Sequence, residues 1–110
     1  MNLGTLEQHV LFAVLAQHPN AYGVSIRDHI SKRAGINYSI GSIYATLARL
    51  EEKGFVRSKE GEKLAERGGR AKLHFTITAT GQATLQQSIR AAQALQRGLR
   101  WREAFLEAQA

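Results

Sequence analysis

Small, hydroxyl-bearing and basic side chains alternate with apolar ones in the stretch SIGSIYATLARLEEKGFV, residues 39–56. Side chains of these types suit a nucleic-acid groove, because small residues allow close approach and a hydroxyl can hydrogen-bond a base edge. The residues concerned are Ser39, Gly41, Ser42, Tyr44, Ala45 and Arg49. Ser42 and Ala45 are predicted nearest the bases, with Tyr44 and Arg49 beside phosphates. Tyr44 could equally be a half-buried ring, and the whole stretch an ordinary short helix.

A second cluster, at residues 57–72, carries six Lys or Arg and three Glu. Its surplus of three positive charges is half of the net charge of +6. Basic side chains around a Gly-Gly pair can contact phosphates or insert an Arg into a minor groove, because glycine lets the backbone come close. The predicted contacts are Arg67, Gly68, Gly69, Arg70 and Lys72. The alternative is a solvated loop whose Glu residues neutralise its own charge.

Composition limits the classes of protein that fit. A chain of 110 residues forms one modest core, and 15 Lys and Arg against 9 Asp and Glu favour an anionic partner. The absence of cysteine excludes disulfides and thiolate metal sites. The N-terminus resembles no signal peptide and the apolar run at 10–16 is too short to span a bilayer, so we expect a cytoplasmic location.

Residues for catalysis or metal binding do not group along the chain. The four histidines lie on different predicted elements, without the i, i+4 spacing of a metal site. No Ser, Asp and His grouping and no pair of carboxylates suggests a nucleophile or an acid and base. The sequence therefore predicts no enzyme, no metal site and no cofactor.

Apolar periodicity predicts the elements that position both clusters. Helices are expected over residues 3–17, 20–34 and 39–53, with Asn20 and Ser39 as N-caps and Gly35 and Gly54 as terminators. Strands are expected at 55–59 and 73–77, the second with Leu73, Phe75 and Ile77 inward and His74 and Thr76 outward. Three helices followed by a hairpin is the order of a winged helix-turn-helix, a mainly α fold with a small β-hairpin.

A last helix is predicted from Ala79 to Ala108, with one apolar stripe and a second, offset stripe. About 30 residues extend about 45 Å, which is longer than this domain is wide, so the distal part is expected to meet a second copy. Residues 1–80 would form the DNA-binding domain and 81–110 the dimerisation helix. The predicted interface comprises Leu6, Val10, Leu85, Ile89, Ala92, Leu95, Leu99, Trp101 and Phe105. Trp101 could be an interface anchor or the wall of a ligand pocket.

Three segments together resemble the PadR family of transcriptional regulators: AYGVSIRDHI at 21–30, SIGSIYATLARLEEKGFV at 39–56 and GGRAKLHFTITATG at 68–81. The chain departs from the family at Ile40 and Ala45, where members commonly have prolines. The resemblance implies a homodimeric DNA-binding repressor whose last helix makes much of the dimer interface, with the first helix contributing. Tyr22 is predicted on the buried stripe of the second helix with Ile26 and Ile30, and it is also among the predicted DNA contacts. The resemblance also implies the short branch of the family, in which Trp101 would meet a planar aromatic effector.

The predicted function is therefore sequence-specific binding of a two-fold symmetric DNA site by a homodimer. The competing interpretation is a winged-helix protein-interaction module without specific DNA binding, because the nearly uncharged face of the third helix would also suit a partner protein.

Overall fold

The fold consists of five helices and one β-hairpin in the part of the chain that the computed structural model describes, residues 2–63 and 71–110. The elements are α1 Thr5–Ala16, α2 Gly23–Ala34, α3 Ile40–Glu52, β1 Val56–Lys63, β2 Ala71–Ile77, α4 Ala79–Gln96 and α5 Trp101–Ala108. Helices α1, α2 and α3 pack on one another and the hairpin follows them, so the predicted winged-helix architecture is confirmed. The predicted contacts Arg67, Gly68, Gly69 and Arg70 lie outside the described residues.

Helix α1 lies at the centre of the core, because side chains on more than one of its sides are covered. Apolar residues of α2 and α3 recur at helical spacing and pack against it. Full burial of each Leu, Ile or Val contributes roughly 1.5–3 kcal/mol. The largest contributors are Val10, Leu11, Val14, Ile26, Ile43, Leu47, Leu50 and Leu85.

The start of α2 differs from the prediction that Asn20 caps it. Ala21 is extended and forms an antiparallel bridge with Phe75, whose amide donates to the Ala21 carbonyl at 2.8 Å. The helix therefore begins two residues later, with Tyr22 as its N-cap and with the Ser25 hydroxyl accepting from the Tyr22 amide. A tertiary contact with the hairpin overrides the local capping preference of Asn20.

The hairpin pairs Val56 with Ile77 and Ser58 with Phe75, and its register shifts between Glu60 and Lys63. One face turns to the core through Val56 and Phe75, both buried. Leu73 was predicted on this inner face, but it is 46% exposed. It lies two residues farther towards the tip of the hairpin, beyond the reach of the helices.

The C-terminal helix is not continuous, which corrects the prediction of one helix over residues 79–108. Helix α4 ends at Gln96, and Gly98 adopts φ +81° before α5 begins at Trp101. A residue with a Cβ rarely adopts this left-handed conformation, so glycine marks the break. The second apolar stripe in the sequence corresponds to this separate helix, since it does not share the face of the first.

The beginning of α4 is locked to the end of α3. The Thr78 hydroxyl donates to the Gly54 carbonyl at 2.6 Å and accepts from the Gly81 amide at 3.0 Å, while the Thr78 amide donates to the Phe55 carbonyl. Gly81 packs so closely on this corner that a Cβ would overlap with the Phe55 carbonyl. We refer to this set, Gly54, Phe55, Thr78 and Gly81, as the corner joint. No helix among the described residues has the length and apolar character needed to cross a membrane.

Candidate nucleic-acid interface

The outer surface of α3 carries the side-chain types predicted from the sequence. Gly41, Tyr44, Ala45, Ala48 and Arg49 are exposed there, and no carboxylate occurs from Ser39 to Leu50. A Cβ on Gly41 would meet no atom of the described residues within 4 Å. The first turns of α3 therefore present small, uncharged side chains, and Arg49 adds a positive charge one turn later. A helix with such a surface can enter a groove.

Two hydroxyls meet at the start of α3. The Ser39 side chain caps the helix by accepting from the Ser42 amide at 3.1 Å, as predicted, and its hydroxyl donates to Ser42 Oγ at 2.8 Å. Ser42 is half-buried, whereas Ala45, one turn later, is exposed. Ala45 is therefore the more prominent of the two residues predicted nearest the bases.

Tyr44 is held in place by the beginning of α2. A Cβ on Gly23 would lie 2.5 Å from Cε1 and Cζ of the Tyr44 ring, so the ring occupies the space that glycine leaves. About half of Tyr44 stays exposed, at 47%. The ring is therefore half-buried, as the alternative interpretation has it, and contact with a phosphate stays a prediction.

The outer face of the hairpin is basic. Alternation along the strands brings Arg57, Lys59, Lys72, His74 and Thr76 to the face opposite Phe75, with Lys59 paired to His74 and Arg57 to Thr76. We call these five residues the basic face. The outward orientation of His74 and Thr76 agrees with the sequence prediction. Together with Pro19 and Asn20, several of these side chains line an open concavity of ≈ 850 Å³.

Tyr22 connects the two surfaces. Its ring stacks on His74 with centroids 6.1 Å apart, and Lys72 Nζ lies 4.1 Å from the Tyr22 ring centroid, a cation–π distance. Tyr22 also directly precedes Gly23, on which Tyr44 packs. Neighbouring residues therefore link Tyr44 of α3, through Gly23 and Tyr22, to Lys72 of the hairpin. We call Ala45, Tyr44, Tyr22 and Lys72 the ledge.

Arg49 has an internal partner as well as an exposed position. Its Nη2 donates to Thr46 Oγ1 at 3.1 Å, and Thr46 is buried. The charge of Arg49 also acts on Glu7 of α1. A buried threonine thus orients the arginine along α3.

Glu7 anchors the last turn of α3 to α1. Its carboxylate accepts from Lys53 Nζ at 2.7 Å and from the Gly4 amide at 2.9 Å. Burial would raise the pKa of this carboxyl, but these two hydrogen bonds, with the charges of Lys53 and Arg49, hold the pKa below its ordinary value. The ion pair links the C-cap of α3 to α1. Sequence reasoning missed it because the partners are 46 residues apart.

The substitution Glu7→Gln is expected to destabilise the fold by about 1–2 kcal/mol at pH 7, a value discounted because Lys53 is a third exposed. Since the folded pKa of Glu7 is lowered, its contribution is complete above the ordinary Glu pKa of about 4.3 and is lost as the pH falls below it. Urea unfolding at pH 7 and at pH 3.5 measures both effects. The difference between the two proteins should shrink at the lower pH.

Glu103→Gln serves as the control, because its partner Arg100 is 3.4 Å away on an exposed helix. It should change stability by less than about 0.5 kcal/mol. Equal effects of the two substitutions would show that the Glu7 pair does not hold α3 in place.

The structure places most of the predicted contact residues on the same part of the surface, beside further basic side chains. It brings Ser39, Gly41, Ser42, Tyr44 and Ala45 together on α3. Tyr22 and Lys72 lie on the same ledge, and Arg49 lies one turn beyond Ala45. The sequence prediction did not include Arg57, Lys59 or His74 as contacts. The signal that identifies them is the two-residue alternation of the strands combined with the cross-strand pairing.

The residues predicted for the dimer interface do not form one surface. Val10 is 0% exposed and Leu85 is buried with it, so both side chains belong to the core of the protomer and leave no area for a partner. Leu6 and Ile89 pack partly against this core. The exposed members are Ala92, Leu95, Leu99, Trp101 and Phe105.

A winged helix with these surfaces is typical of small DNA-associated regulatory domains. Comparison with known proteins identifies the family within this class. The sequence pattern described as the transcriptional regulator PadR-like family matches residues 11–87. The chain therefore belongs to the PadR-like family of transcriptional regulators. No curated protein has a matching sequence.

Solved structures with similar folds include RosR of H. salinarum, with a TM-score of 0.71 and 19% identity over 97% of this chain and 89% of that one. The PadR-like regulator BC4206 of Bacillus cereus has a TM-score of 0.63 and 20% identity over 87% and 95%. PadR of Bacillus subtilis, crystallised with operator DNA, has a TM-score of 0.67 and 19% identity over 78% of this chain and 48% of that one. These likenesses establish the fold.

Proposed function

We propose that this chain acts as a homodimeric repressor that binds a two-fold symmetric DNA site. Helix α3 of each protomer enters the major groove, and the two helices lie about one DNA turn apart, ~34 Å. The basic face of each hairpin contacts flanking phosphates.

The observation that supports DNA binding best is the ledge from Ala45 to Lys72. A helix face that is low in charge suits either a partner protein or the groove of a nucleic acid. A strip of basic residues along one edge of that face favours the nucleic acid, because its phosphates are negatively charged. Here α3 carries no carboxylate before Glu51, and the hairpin beside it presents Arg57, Lys59 and Lys72. Glu51, at the end of α3, is turned to the strand, where it accepts from the Ser58 amide and hydroxyl.

The structure of Bacillus subtilis PadR with operator DNA shows that a similar fold can bind an operator. In this chain Ala45 is the exposed small residue on α3, and its methyl group suits contact with a thymine methyl. The Ser39 and Ser42 hydroxyls at the start of the helix suit hydrogen bonds to a base edge or a phosphate. Arg67, Gly68, Gly69 and Arg70 are proposed to extend the contacts of the basic face.

Dimerisation is supported by apolar side chains that the protomer leaves uncovered on α4 and α5. Leu95 is 80% exposed, Phe105 60% and Trp101 50%. Soluble monomers rarely expose contiguous apolar patches larger than a few hundred Å². We therefore assign residues 92–108 to the contact between protomers.

The substitution Lys72→Ala tests the function directly. Loss of one phosphate contact should weaken binding to selected and random duplexes alike and reduce the slope of log affinity against log salt by about 1. Fluorescence anisotropy with a labelled duplex, over a series of salt concentrations, measures both quantities.

Lys32→Ala is the matched control, since Lys32 is an exposed lysine at the other end of α2 from Tyr22. It should leave affinity and salt slope unchanged. If the wild-type protein shows no salt-dependent binding to any duplex, the competing interpretation of a protein-interaction module is correct.

A further inference from the structure

The side chain of Lys72 is held by an aromatic ring from another part of the chain. Its Nζ lies 4.1 Å from the centroid of the Tyr22 ring, and both residues are half-buried. The face of an aromatic ring attracts an ammonium group, and the attraction grows where water is partly excluded. A lysine otherwise has a flexible four-carbon stem with many rotamers. The ring therefore restricts the ammonium group to one region of the basic face.

The Tyr22 ring lies against two side chains of β2. Besides its contact with Lys72, it stacks on His74 with the ring planes 29° apart and the centroids at 6.1 Å. His74 follows Lys72 by two residues, and residues two apart on a strand lie on the same face of the sheet. The strand therefore fixes the ring from the side opposite to its own helix.

The backbone of Tyr22 is also fixed. Its amide donates to the Ser25 hydroxyl at 3.0 Å, and that hydroxyl donates to Gln17 Oε1 at 2.9 Å. The Gln17 side chain donates in turn to the Ser25 carbonyl at 3.0 Å, so the end of α1 holds the first turn of α2. The preceding residue, Ala21, is bridged to Phe75. The ring thus has a rigid base, and the bonds that provide it use the backbone of Tyr22 rather than its side chain.

A lysine that is held in this way is prepared for an anion. A side chain that is already fixed loses less freedom on binding, so it binds more tightly than a mobile one. An ammonium group carries three N–H donors, and contact with a ring face leaves donors for an anion on its other side. Tyr22 can therefore strengthen a contact between Lys72 and a phosphate without touching the phosphate itself.

We propose that Tyr22 is a positioning residue for DNA binding, whose ring face holds the Lys72 ammonium group where a phosphate of the duplex meets the hairpin. This inference rests on the proposed function and specifies how one of its contacts is prepared. It differs from a direct contact of Tyr22 with DNA, because a direct contact uses the tyrosine hydroxyl whereas positioning uses the face of the ring.

Two substitutions at Tyr22 separate these roles. Tyr22→Leu removes the ring and should weaken binding to selected and random duplexes by about 2–5-fold, the effect of a cation–π contact at a partly exposed site. Tyr22→Phe keeps the ring face and removes only the hydroxyl, so its affinity should equal that of the wild type. Fluorescence anisotropy with labelled duplexes measures both. An equal loss in Tyr22→Phe would show that the hydroxyl contacts the DNA and would overturn the proposal.

A double-mutant cycle with Lys72→Ala supplies a readout that a purely structural role of Tyr22 would leave unaffected. Without the ammonium group the ring has nothing to position, so Tyr22→Leu should cause no further loss of affinity in the Lys72→Ala background. Lys32→Ala, at an exposed lysine of α2, is the control background, in which the full loss from Tyr22→Leu should persist. Equal losses in all backgrounds would contradict the proposal.

NMR of the protein without DNA tests the contact itself. A ring current shifts protons above a ring face upfield, so the methylene protons next to Lys72 Nζ should resonate upfield of those of Lys32. They should return to the position of Lys32 in Tyr22→Leu, and absence of the shift in the wild type would refute the contact. Urea unfolding checks that Tyr22→Leu is folded. If it is not, Tyr22→Met replaces it in the cycle, because methionine also lacks a ring and adapts to irregular gaps.

Binding by the wild-type protein separates the two levels of inference. Salt-dependent binding combined with additive losses in the cycle retains the proposed function and refutes only the positioning role of Tyr22. Absence of salt-dependent binding to any duplex refutes the proposed function itself, and the positioning role with it.

Discussion

The substitution Ala45→Glu is expected to lower affinity for selected DNA by about 10²–10³-fold, because juxtaposing a carboxylate with DNA phosphates costs several kcal/mol, roughly 3–4, and each 1.4 kcal/mol is tenfold. Ala45 is exposed on α3 with no carboxylate nearby on that face. A glutamate there would face base edges and phosphates, and pairing with Arg49 one turn later would draw that arginine away from the DNA. Anisotropy titration with the selected duplex measures the loss.

The folded state should be unaffected, because surface substitutions usually change stability by less than about 0.5 kcal/mol. Ala83→Glu is the matched control, since it introduces the same charge at an exposed position of α4. Equal losses in both variants would reflect net charge alone, and unchanged affinity of Ala45→Glu would exclude α3 as the element in the groove.

The largest effect on stability is expected from Gly81→Ala, which should cost about 3 kcal/mol, at the upper end of overpacking substitutions. A Cβ at this position would overlap with the Phe55 carbonyl and lie 3.0 Å from Ile77 Cγ1. Backbone cannot yield as a flexible side-chain end can, so the corner joint must open. Urea unfolding at a fixed protein concentration measures the change.

Gly41→Ala provides the opposite outcome with the same chemical change. Gly41 lies in the first turn of α3, and an added methyl group meets no described atom within 4 Å. Alanine should stabilise the helix by roughly 0.5–1 kcal/mol, because glycine loses more conformational freedom on folding. If both variants were equally destabilised, close packing at Gly81 would not be the cause.

Local patterns were sufficient to predict elements that are stabilised locally. Ser39 caps α3 through its own hydroxyl, and the spacing of Ile43, Leu47 and Leu50 identifies the buried side of that helix. Both signals act within a few residues. The family motif includes Gly23 and Tyr44, but only the structure shows that these two residues pack on each other.

The differences between prediction and structure depend on contacts distant in sequence. Asn20 is a good N-cap by type, but the bridge from Ala21 to Phe75 draws the chain into an extended conformation first. Val10 and Leu85 have the spacing of interface residues, and only the packing of α4 on the other helices shows that they are internal. The pair of Glu7 and Lys53 leaves no periodic signal at all.

Because the corner joint connects α3 firmly to α4, the two helices move as one rigid unit. In the proposed dimer this unit would turn about the end of α4 that lies nearest the partner. Helix α4 has 18 residues, which corresponds to about 27 Å, so a rotation of about 10° displaces its far end by roughly 5 Å. One base-pair step is about 3.4 Å along the duplex. In the proposed dimer, a change of about 10° in the angle between the protomers would therefore shift each corner joint, and α3 with it, by more than one base-pair step.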